Sequence, residues 1–427
     1  MVQRVLAQAN LSTPADRLAS NELKPEPLSS PTRILHIITD LSVAGAEMKL
    51  YKLLAASDKD RFSHAVLSMR SQGGLREPII ALGVPVYSLG ITRTLPNAMS
   101  IVRFIRLVWW LRPHLIHGWM YHGNLAAHVA GAIAPSKPIV LWSIHQSLYS
   151  FAFEKRLTAL VIRLGARISE KVNRIVYVSK ASASQHEAVG YARSKSAVVH
   201  YGFDTEKFRP STEARERVRR ELGVPRDTLL IGLIGRYHPV KDHATFLRAG
   251  AQVAKAQPDA HFLLCGKQVD DRNSSLTSLI RDLGLTQKVH LLGERRDIEQ
   301  IIAALDVLAS SSCSEGFPNV IGEAMACGVP CVATAVSDLP EIIGDTGHVV
   351  PPGDPAALAA AVSEIIEMGN VARQALGESA RARVIERYSL ELSVTRYEAM
   401  YDSLLNLVSE GTQPNLLLSQ ESVGGET

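Results

Sequence analysis

The stretch Ser314-Glu-Gly-Phe-Pro-Asn-Val-Ile-Gly-Glu323 decides how this sequence is interpreted, because it places Glu315 and Glu323 eight positions apart. Pro318 suits the first turn of a helix, where a missing N–H removes no hydrogen bond. Such a helix would carry Glu323 about one and a half turns inside and leave Glu315 in the loop before it. The free N–H groups and the positive end of the helix dipole would lie between the carboxylates, which suits a phosphate.

The residues that follow favour a functional role for this pair. Ala324–Thr334 predicts a helix that ends at Gly328, a turn at Pro330 and a buried strand. Glu323 would open the apolar face of that helix, where an unpaired charge is costly. A nucleotide sugar, with hydroxyl groups on either side of a phosphate, would satisfy both glutamates. Solvated surface charge is the alternative for an arbitrary pair at this spacing.

Strands and helices alternate along the chain in two successive series. The first series opens with the strand Arg33–Ile38, a glycine-containing loop and a helix, and the second opens with the buried strand Leu229–Gly235. This alternation predicts an α/β fold with two Rossmann-like, doubly wound domains, over residues 31–205 and 206–388. Residues 1–30 and 411–427 predict a disordered lead and a flexible tail.

The composition limits the classes of protein that the chain can belong to. With 427 residues and 46% hydrophobic content, the chain can build two sizeable cores. No apolar run is long enough to predict a membrane span. Residues 1–205 hold 24 Lys/Arg against 12 Asp/Glu, whereas residues 206–427 hold 22 against 30. The basic first half predicts an anionic partner near it.

The four cysteines, all in the second half, predict free thiols that fill small core positions. They are Cys265, Cys313, Cys327 and Cys331. We expect no metal site, because no histidine or aspartate flanks Cys327 and Cys331 at a metal-ligand spacing.

The run Gly235-Arg236-Tyr-His-Pro-Val-Lys241 follows the first strand of the second series. Ligands bind at the carboxyl ends of parallel strands, and a diphosphate suits one forked donor and one point charge. Arg236 and Lys241 supply these two types of cation. A surface pair beside a loop is the alternative.

The stretch from Ser314 to Ile343 resembles the signature of the family-4 retaining glycosyltransferases, which have the GT-B fold, and the resemblance extends over residues 32–405. It implies that the two domains face each other across a cleft and that a final helix, over 389–410, crosses back to the first domain. It also implies a catalytic contact between Glu315 and the donor sugar, and binding of the nucleotide ribose by Glu323. The same resemblance places further residues in the donor site: Gly235, Gly316, Phe317, Pro318, Asn319 and Val320.

The Gly-Arg-x4-Lys element of the family also matches, so the resemblance implies that Arg236 and Lys241 bind the donor diphosphate. It therefore implies a nucleotide-sugar co-substrate, with no metal and no other cofactor. The loop from Ser42 to Glu47 resembles the family's glycine loop, although Ala44 stands where the first glycine is usual. Gly45 and Ala44 are thus candidates for an acceptor or phosphate loop.

Two histidine-containing turns end strands of the first domain. In His117-Gly-Trp-Met-Tyr-His122, we prefer His122 as the acid–base candidate and expect His117 to be a core residue. His145, at the end of the next strand, is a comparable but weaker candidate.

The run from Ile101 to Arg112 combines arginines with tryptophan and phenylalanine, and no carboxylate occurs between residues 78 and 153. This pattern suits a helix that lies on an anionic membrane surface. A helix packed within the domain, with its arginines in water, is the alternative. We expect a cytoplasmic protein, and the first interpretation adds peripheral contact with the inner membrane face. A nucleic-acid partner is not expected, because no recognition motif is present.

Together these features predict a hexosyltransferase that moves sugar from a nucleoside diphosphate sugar, with UDP as the preferred nucleotide. The acceptor would be a saccharide or a lipid-linked sugar in polysaccharide or glycolipid biosynthesis, and the anomeric configuration would be retained. Two alternatives stay open: an inactive GT-B scaffold in a polysaccharide assembly complex, and a nucleotide-sugar epimerase on the same fold.

Overall fold

The computed structural model describes residues 31–43, 45–70, 73–91, 97–148, 151 and 154–409. They form two parallel β-sheets flanked by helices, which confirms the predicted α/β fold with two Rossmann-like domains. The predicted lead, the predicted tail and Ala44 lie outside the described residues. No helix in the described ranges is long and apolar enough to cross a membrane.

The first sheet has seven parallel strands within the described residues: β1 Thr32–Ile38, β2 Phe62–Ser68, β3 Val86–Ser88, β4 Leu115–Trp119, β5 Ile139–Ile144, β6 Arg174–Tyr177 and β7 Ser196–Val198. Its helices are α1 Gly45–Ala56, α2 Arg76–Ala81, α3 Ala98–Leu111, α4 Met120–Ile133, α5 Arg156–Ile168 and α6 Lys180–Ala188. The strand order is β3-β2-β1-β4-β5-β6-β7. The order therefore reverses between β1 and β4, which opens a crevice at their carboxyl ends.

The second sheet repeats this plan with six described strands: β8 Leu230–Ile234, β9 His261–Cys265, β10 Val289–Leu291, β11 Val307–Ser310, β12 Cys331–Thr334 and β13 Gly347–Val350. Its helices are α7 Thr212–Leu222, α8 His243–Ala256, α9 Ser274–Asp282, α10 Ile298–Ala303, α11 Asn319–Ala326, α12 Leu339–Ile343 and α13 Pro355–Glu367. The order is β10-β9-β8-β11-β12-β13, so the reversal here lies between β8 and β11.

Alternation of side chains along each strand builds a core on both faces of each sheet. In β1, Leu35 and Ile37 belong to one apolar cluster, whereas Ile34 and Ile38 belong to the cluster on the opposite face. This burial on both faces explains why the strands have near-continuous apolar sequences. Of the four cysteines, Cys313 is exposed in the loop after β11, where we expected a core position; the other three are buried.

The chain ends in two long helices, α14 Gly369–Tyr388 and α15 Leu390–Ser409. At their junction, the Phe203 N–H donates to the Tyr388 carbonyl at 2.8 Å and the Leu390 N–H donates to the Phe203 carbonyl at 2.9 Å. The connection between the domains thus pairs with the start of α15. From there α15 packs against α1 of the first domain.

Polar side chains fix α15 on the first domain. Glu398 accepts hydrogen bonds from the Ser57 hydroxyl and the Asp58 N–H, each at 2.8 Å. The Tyr401 hydroxyl lies 2.9 Å from Nδ1 of His117, which is fully buried. His117 is therefore a core residue, as the sequence predicted, and it holds the last helix in place.

Lys49 of α1 is buried in the same region. Its ammonium donates to the Ser393 hydroxyl of α15 and lies 5.4 and 5.3 Å from the ring centres of Tyr201 and Tyr397. Within the described residues no carboxylate pairs with it. Burial lowers the pKa of Lys49 to about 7, and the positive charges of Lys52 and Arg396 act in the same direction.

Replacing Lys49 by Met should change how stability depends on pH. The unfolded chain keeps a lysine pKa of about 10.4. Between pH 7 and about pH 10 the unfolded state therefore binds more protons, and the free energy of unfolding rises with pH because of Lys49. The Lys49→Met variant should lose that rise and be more stable than the parent at pH 7. Urea unfolding at pH 7, 8 and 9 measures it.

Lys255→Met is the matched control, because Lys255 is exposed on α8. It should follow the parent at every pH. Parallel stability curves for the parent and Lys49→Met would contradict the expected titration of Lys49.

Candidate active site

The Glu315 loop joins β11 to α11, beside the point where the strand order of the second sheet reverses. One carboxylate oxygen of Glu315, Oε1, accepts a hydrogen bond from the Ser312 hydroxyl at 2.6 Å and another from the Lys241 ammonium. The Glu315 side chain is 11% exposed and that of Lys241 is 23% exposed. Partial burial strengthens this ion pair relative to a surface pair, so the carboxylate is held in one position.

Lys241 is placed by the loop that follows β8. Its carbonyl and that of Asp242 accept hydrogen bonds from the Ser311 hydroxyl at 3.0 and 2.8 Å. Asp242 caps α8 by accepting from the Thr245 N–H at 3.2 Å. The loops after β8 and β11 are thus bonded to each other, which brings the predicted Lys241 and Glu315 together.

Two glycines let the exits of β8 and β9 approach closely. Gly266 has φ of +153°, and a Cβ atom there would stand 2.2 Å from the carbonyl oxygen of Gly235. Arg236, the next residue, is exposed and has no ion-pair partner among the described residues. Among the described residues, the site therefore presents a guanidinium without an ion-pair partner and an ammonium that is paired with Glu315.

No side chain caps the start of α11, where Pro318 precedes the first helical residue, Asn319. Val320, in the first turn, is half-buried and packs against the core of the second domain. The N–H groups of this turn and the helix dipole favour an anion at the helix start.

Phe317 packs the Glu315 loop against two aromatic rings. It is buried, its ring centre lies 5.8 Å from that of Phe203 in a stacked arrangement, and it meets Tyr201 edge-on at 5.2 Å. Gly322 of α11 leaves room for Phe203, because a Cβ there would stand 2.1 Å from that ring. The Glu315 loop is therefore packed against the connection between the two domains.

Glu323 lies on the second turn of α11 and is half-buried. Its carboxylate forms no hydrogen bond or ion pair with any described residue. Burial raises the pKa of Glu323; Lys52 and Lys207 lower it, and Glu299 raises it further. A partly desolvated carboxylate without a partner is suited to accept hydrogen bonds from a ligand.

The Glu315 loop also contacts the first domain. The Ser147 hydroxyl donates to the Glu315 carbonyl at 2.7 Å. A Cβ on Gly316 would stand 3.0 Å from Cα of Gln146 and 3.3 Å from the carbonyl oxygen of His145. The segment that follows β5 therefore forms the opposite wall at this point.

His145 lies in that segment and is half-buried, with both ring nitrogens shielded from solvent. Its ring is stacked between Trp119 at 5.0 Å and Tyr201 at 5.6 Å, both nearly parallel to it. Neither ring nitrogen has a hydrogen-bond partner among the described residues. Burial first, and the Lys49 charge second, lower the pKa of His145 to about 3, so its imidazole is neutral at physiological pH.

His122, our preferred histidine from the sequence, is the third residue of α4 and is half-buried. Burial and then the charge of Arg70 lower its pKa. No hydrogen bond or ion pair within the described residues joins it to the Glu315 loop, whereas the His145 carbonyl borders that loop at Gly316. Gly45 begins α1, and a Cβ there would lie 3.7 Å from the Tyr201 hydroxyl, which is an ordinary contact.

Sequence reasoning missed the serines that position Glu315, namely Ser312 and Ser147. The run Ser310-Ser-Ser312 at the end of a predicted strand was the available signal for the first. Arg295, in the loop after β10, is engaged by Asp297 and Glu221. These two carboxylates raise its pKa, which leaves it little capacity to bind a ligand.

Comparison with known proteins identifies both halves of the chain. Residues 43–207 match the model of Glycosyltransferase Family 4, and residues 228–368 match that of Glycosyl transferases group 1. The chain is 23% identical to HepE of Anabaena, solved in complex with UDP. That comparison has a TM-score of 0.76 and covers 87% of this chain and 100% of HepE. At this identity the likeness shows the GT-B fold.

Curated relatives resemble part of the chain. The chain is 33% identical to D-inositol 3-phosphate glycosyltransferase of Corynebacterium urealyticum over 56% of its length and 58% of the relative. It is 30% identical to N-acetyl-alpha-D-glucosaminyl L-malate synthase of Bacillus anthracis over 44% of its length and 49% of the relative. The matches thus span about half the length of these relatives. With the two family models and the shared fold, they show that the chain belongs to the group 1, family 4 glycosyltransferases.

Proposed function

We propose that this protein is a retaining hexosyltransferase that uses a nucleoside diphosphate sugar, with UDP as the nucleotide. One observation carries the proposal: the Glu315–Lys241 pair stands at the start of α11, with the unpartnered carboxylate of Glu323 further along the same helix. Together with the guanidinium of Arg236, these groups match the three parts of such a donor. Glu315 would contact the sugar, Lys241 and Arg236 the diphosphate, and Glu323 the ribose.

The leaving group would be stabilised by positive charge already in place. Arg236, Lys241 and the uncapped start of α11 would surround the diphosphate, and groups fixed before reaction stabilise developing charge most effectively. Side-chain cations would serve without a metal. When the donor is bound, Lys241 would lie between the Glu315 carboxylate and the diphosphate.

In the reaction, the bond between the anomeric carbon and the diphosphate oxygen would break while the acceptor oxygen bonds on the same face of the sugar. The acceptor hydroxyl proton would pass to the leaving diphosphate or to a base, for which His122 stays the candidate. The neutral His145, whose ring nitrogens are shielded from solvent, would position the segment after β5 against the Glu315 loop rather than contact the sugar. Closure of the two domains would exclude water and limit hydrolysis of the donor.

The choice of UDP is supported by the HepE complex with UDP. For the acceptor we propose a saccharide or a lipid-linked sugar, in polysaccharide or glycolipid biosynthesis. The names of the curated relatives include inositol 3-phosphate and L-malate, both anions. An anionic group on the acceptor would suit the basic first half of the chain. We also propose a cytoplasmic location with peripheral contact at the inner membrane face.

A donor screen tests the proposal directly. Calorimetry with UDP-, GDP- and ADP-sugars should give saturable binding that is tightest for a UDP-sugar, and slow hydrolysis of that donor should be detectable without acceptor. A chain that neither binds nor hydrolyses any of these donors would be a scaffold, and the enzyme proposal would fail. Interconversion of two UDP-sugars without acceptor would indicate an epimerase.

Substitution of the two glutamates should separate binding from turnover. Glu323→Ala removes the proposed ribose contact and should weaken UDP binding about tenfold to a hundredfold, as expected for a hydrogen bond to a charged group. Glu315→Ala should lower kcat about a hundredfold or more while UDP affinity is kept, because Lys241 is then free for the diphosphate. Calorimetry and initial rates measure the two effects.

Glu367→Ala, on the exposed end of α13, is the matched control and should leave both quantities unchanged. Equal losses of affinity and turnover in the Glu315 and Glu323 variants would contradict the separate roles assigned to them.

Variants of the two histidines decide which one serves the reaction. His145→Gln should lower kcat with UDP affinity kept, because it disturbs the stacked rings beside the Glu315 loop rather than a contact to the nucleotide. His122→Gln should flatten the acidic limb of the pH–rate profile if His122 is the base. Thermal unfolding accompanies both, since His145 is half-buried. An unchanged kcat in a folded His145→Gln protein would remove His145 from the site.

A further inference from the structure

The outer face of the first domain carries exposed apolar side chains on α3. Val102, Trp109 and Trp110 are 49%, 54% and 70% exposed, and Met99 is 59% exposed. A soluble surface rarely shows so many large apolar groups together. The opposite face of α3, with Ser100 and Val108, is buried.

Helical geometry places these residues on one stripe. Positions 99, 102, 106 and 110 recur every three or four residues, which is one face of an α-helix. Arg103 and Arg106 lie within the same stripe and are exposed. The outward face of α3 is therefore apolar and cationic at once.

Helix α5 has the same construction. Leu157, Leu160 and Leu164 are exposed at three- and four-residue spacing. Arg163 and Arg167 alternate with them and are also exposed. Packing within the chain does not account for matching stripes on two helices, because both stripes point away from the core.

The two stripes belong to one surface. Helix α3 packs on α4 and α4 packs on α5, so α4 lies between them. On α4, Val129 and Ala132 are exposed. We name the outward faces of α3, α4 and α5 the three-helix surface.

The arginines of this surface lack anionic partners. Residues 78–153 contain no Asp or Glu, and the next acidic residue after Glu154 is Glu170. No ion pair among the described residues involves an arginine of α3 or α5. Unpaired guanidinium groups next to exposed tryptophan and leucine match the boundary of a bilayer, where phosphate groups lie above acyl chains.

We propose that the three-helix surface docks on an anionic lipid bilayer. Arginines would contact lipid phosphates, while Trp110, Leu160 and their neighbours would enter the interface. A second copy of the chain is a poorer partner, because two identical cationic surfaces repel each other. A nucleic acid would leave the leucine stripe without an apolar partner.

The three-helix surface also lies close to the Glu315 loop. Helix α5 begins two residues after Glu154, which accepts a hydrogen bond from the Gln146 amide at 2.8 Å. Gln146 in turn touches Gly316. Docking would therefore set the cleft beside the bilayer, and a lipid-linked acceptor could reach it without leaving the membrane. This last step rests on the proposed function.

The test is flotation of the full-length protein with vesicles. Vesicles of phosphatidylcholine and phosphatidylglycerol in equal parts should bind the protein at least tenfold more tightly than vesicles of phosphatidylcholine alone. Binding should weaken as salt is raised from 0.1 to 0.5 M. A variant with Arg103, Arg106 and Arg163 replaced by Ser should lose about a hundredfold in affinity, at roughly 1 kcal/mol for each basic residue. Trp110→Ser should weaken binding without changing its salt dependence.

The control replaces Arg217, Arg220 and Arg272 by Ser, which removes the same charge from exposed positions of the second domain. It should bind vesicles like the parent. All variants should keep the parent's thermal unfolding and UDP binding, which separates a lost surface from a lost fold.

Several results would overturn the proposal. The first is a parent that binds no vesicles, and the second is a control variant that loses as much affinity for vesicles as the variant with Arg103, Arg106 and Arg163 replaced. Full vesicle binding by the latter variant would also contradict the proposal. Self-association abolished by Trp110→Ser would assign the surface to a second copy, and binding of oligonucleotides in place of vesicles would assign it to nucleic acid. Vesicle binding requires no donor, so a protein that binds vesicles but no nucleotide sugar would refute the proposed function alone.

Discussion

The ion pair between Lys241 and Glu315 is the interaction on which the candidate site depends. It joins the loop after β8 to the loop before α11 across the point where the strand order reverses. A half-buried carboxylate needs such a partner, because desolvation without one is costly. Ser312 holds the same carboxylate oxygen, which leaves the ammonium able to turn toward an incoming diphosphate. These contacts hold the carboxylate in one position, which suits the proposed donor with its hydroxyl groups and negative charge.

The first domain contributes to this loop through main-chain contacts rather than through charge. Ser147 holds the carbonyl of Glu315, and Gly316 fits against the segment after β5 because it lacks a side chain. A column of rings runs from the first sheet to the Glu315 loop. It consists of Trp119, His145, Tyr201 and Phe317. Rings packed in this way resist small displacements. The column therefore fixes the separation of the two domains beside the Glu315 loop.

The last helix makes the first domain dependent on the C-terminal end of the chain. Tyr401 and Glu398 form hydrogen bonds with Nδ1 of His117 and with the Ser57 hydroxyl, whose other contacts are to Ser143 and His64. Removing α15 would expose this polar interior as well as apolar surface, so the first domain requires the end of the chain for its own core. The outer face of the same domain differs, since its apolar side chains are exposed and its arginines form no ion pair with any described residue.

The sequence by itself determined the architecture and predicted the residues of the candidate site. Continuous apolar runs that alternate with helical patterns, with glycines at strand ends, suffice for α/β domains because burial on both sheet faces imposes them locally. Glu315, Glu323, Arg236 and Lys241 were predicted because spacing on one helix and one strand exit is a local property. Only the tertiary structure decided that Lys241 pairs with Glu315, and that the His145 carbonyl borders the Glu315 loop at Gly316. Those relations join segments far apart in the chain, and no local pattern records which strand ends will meet.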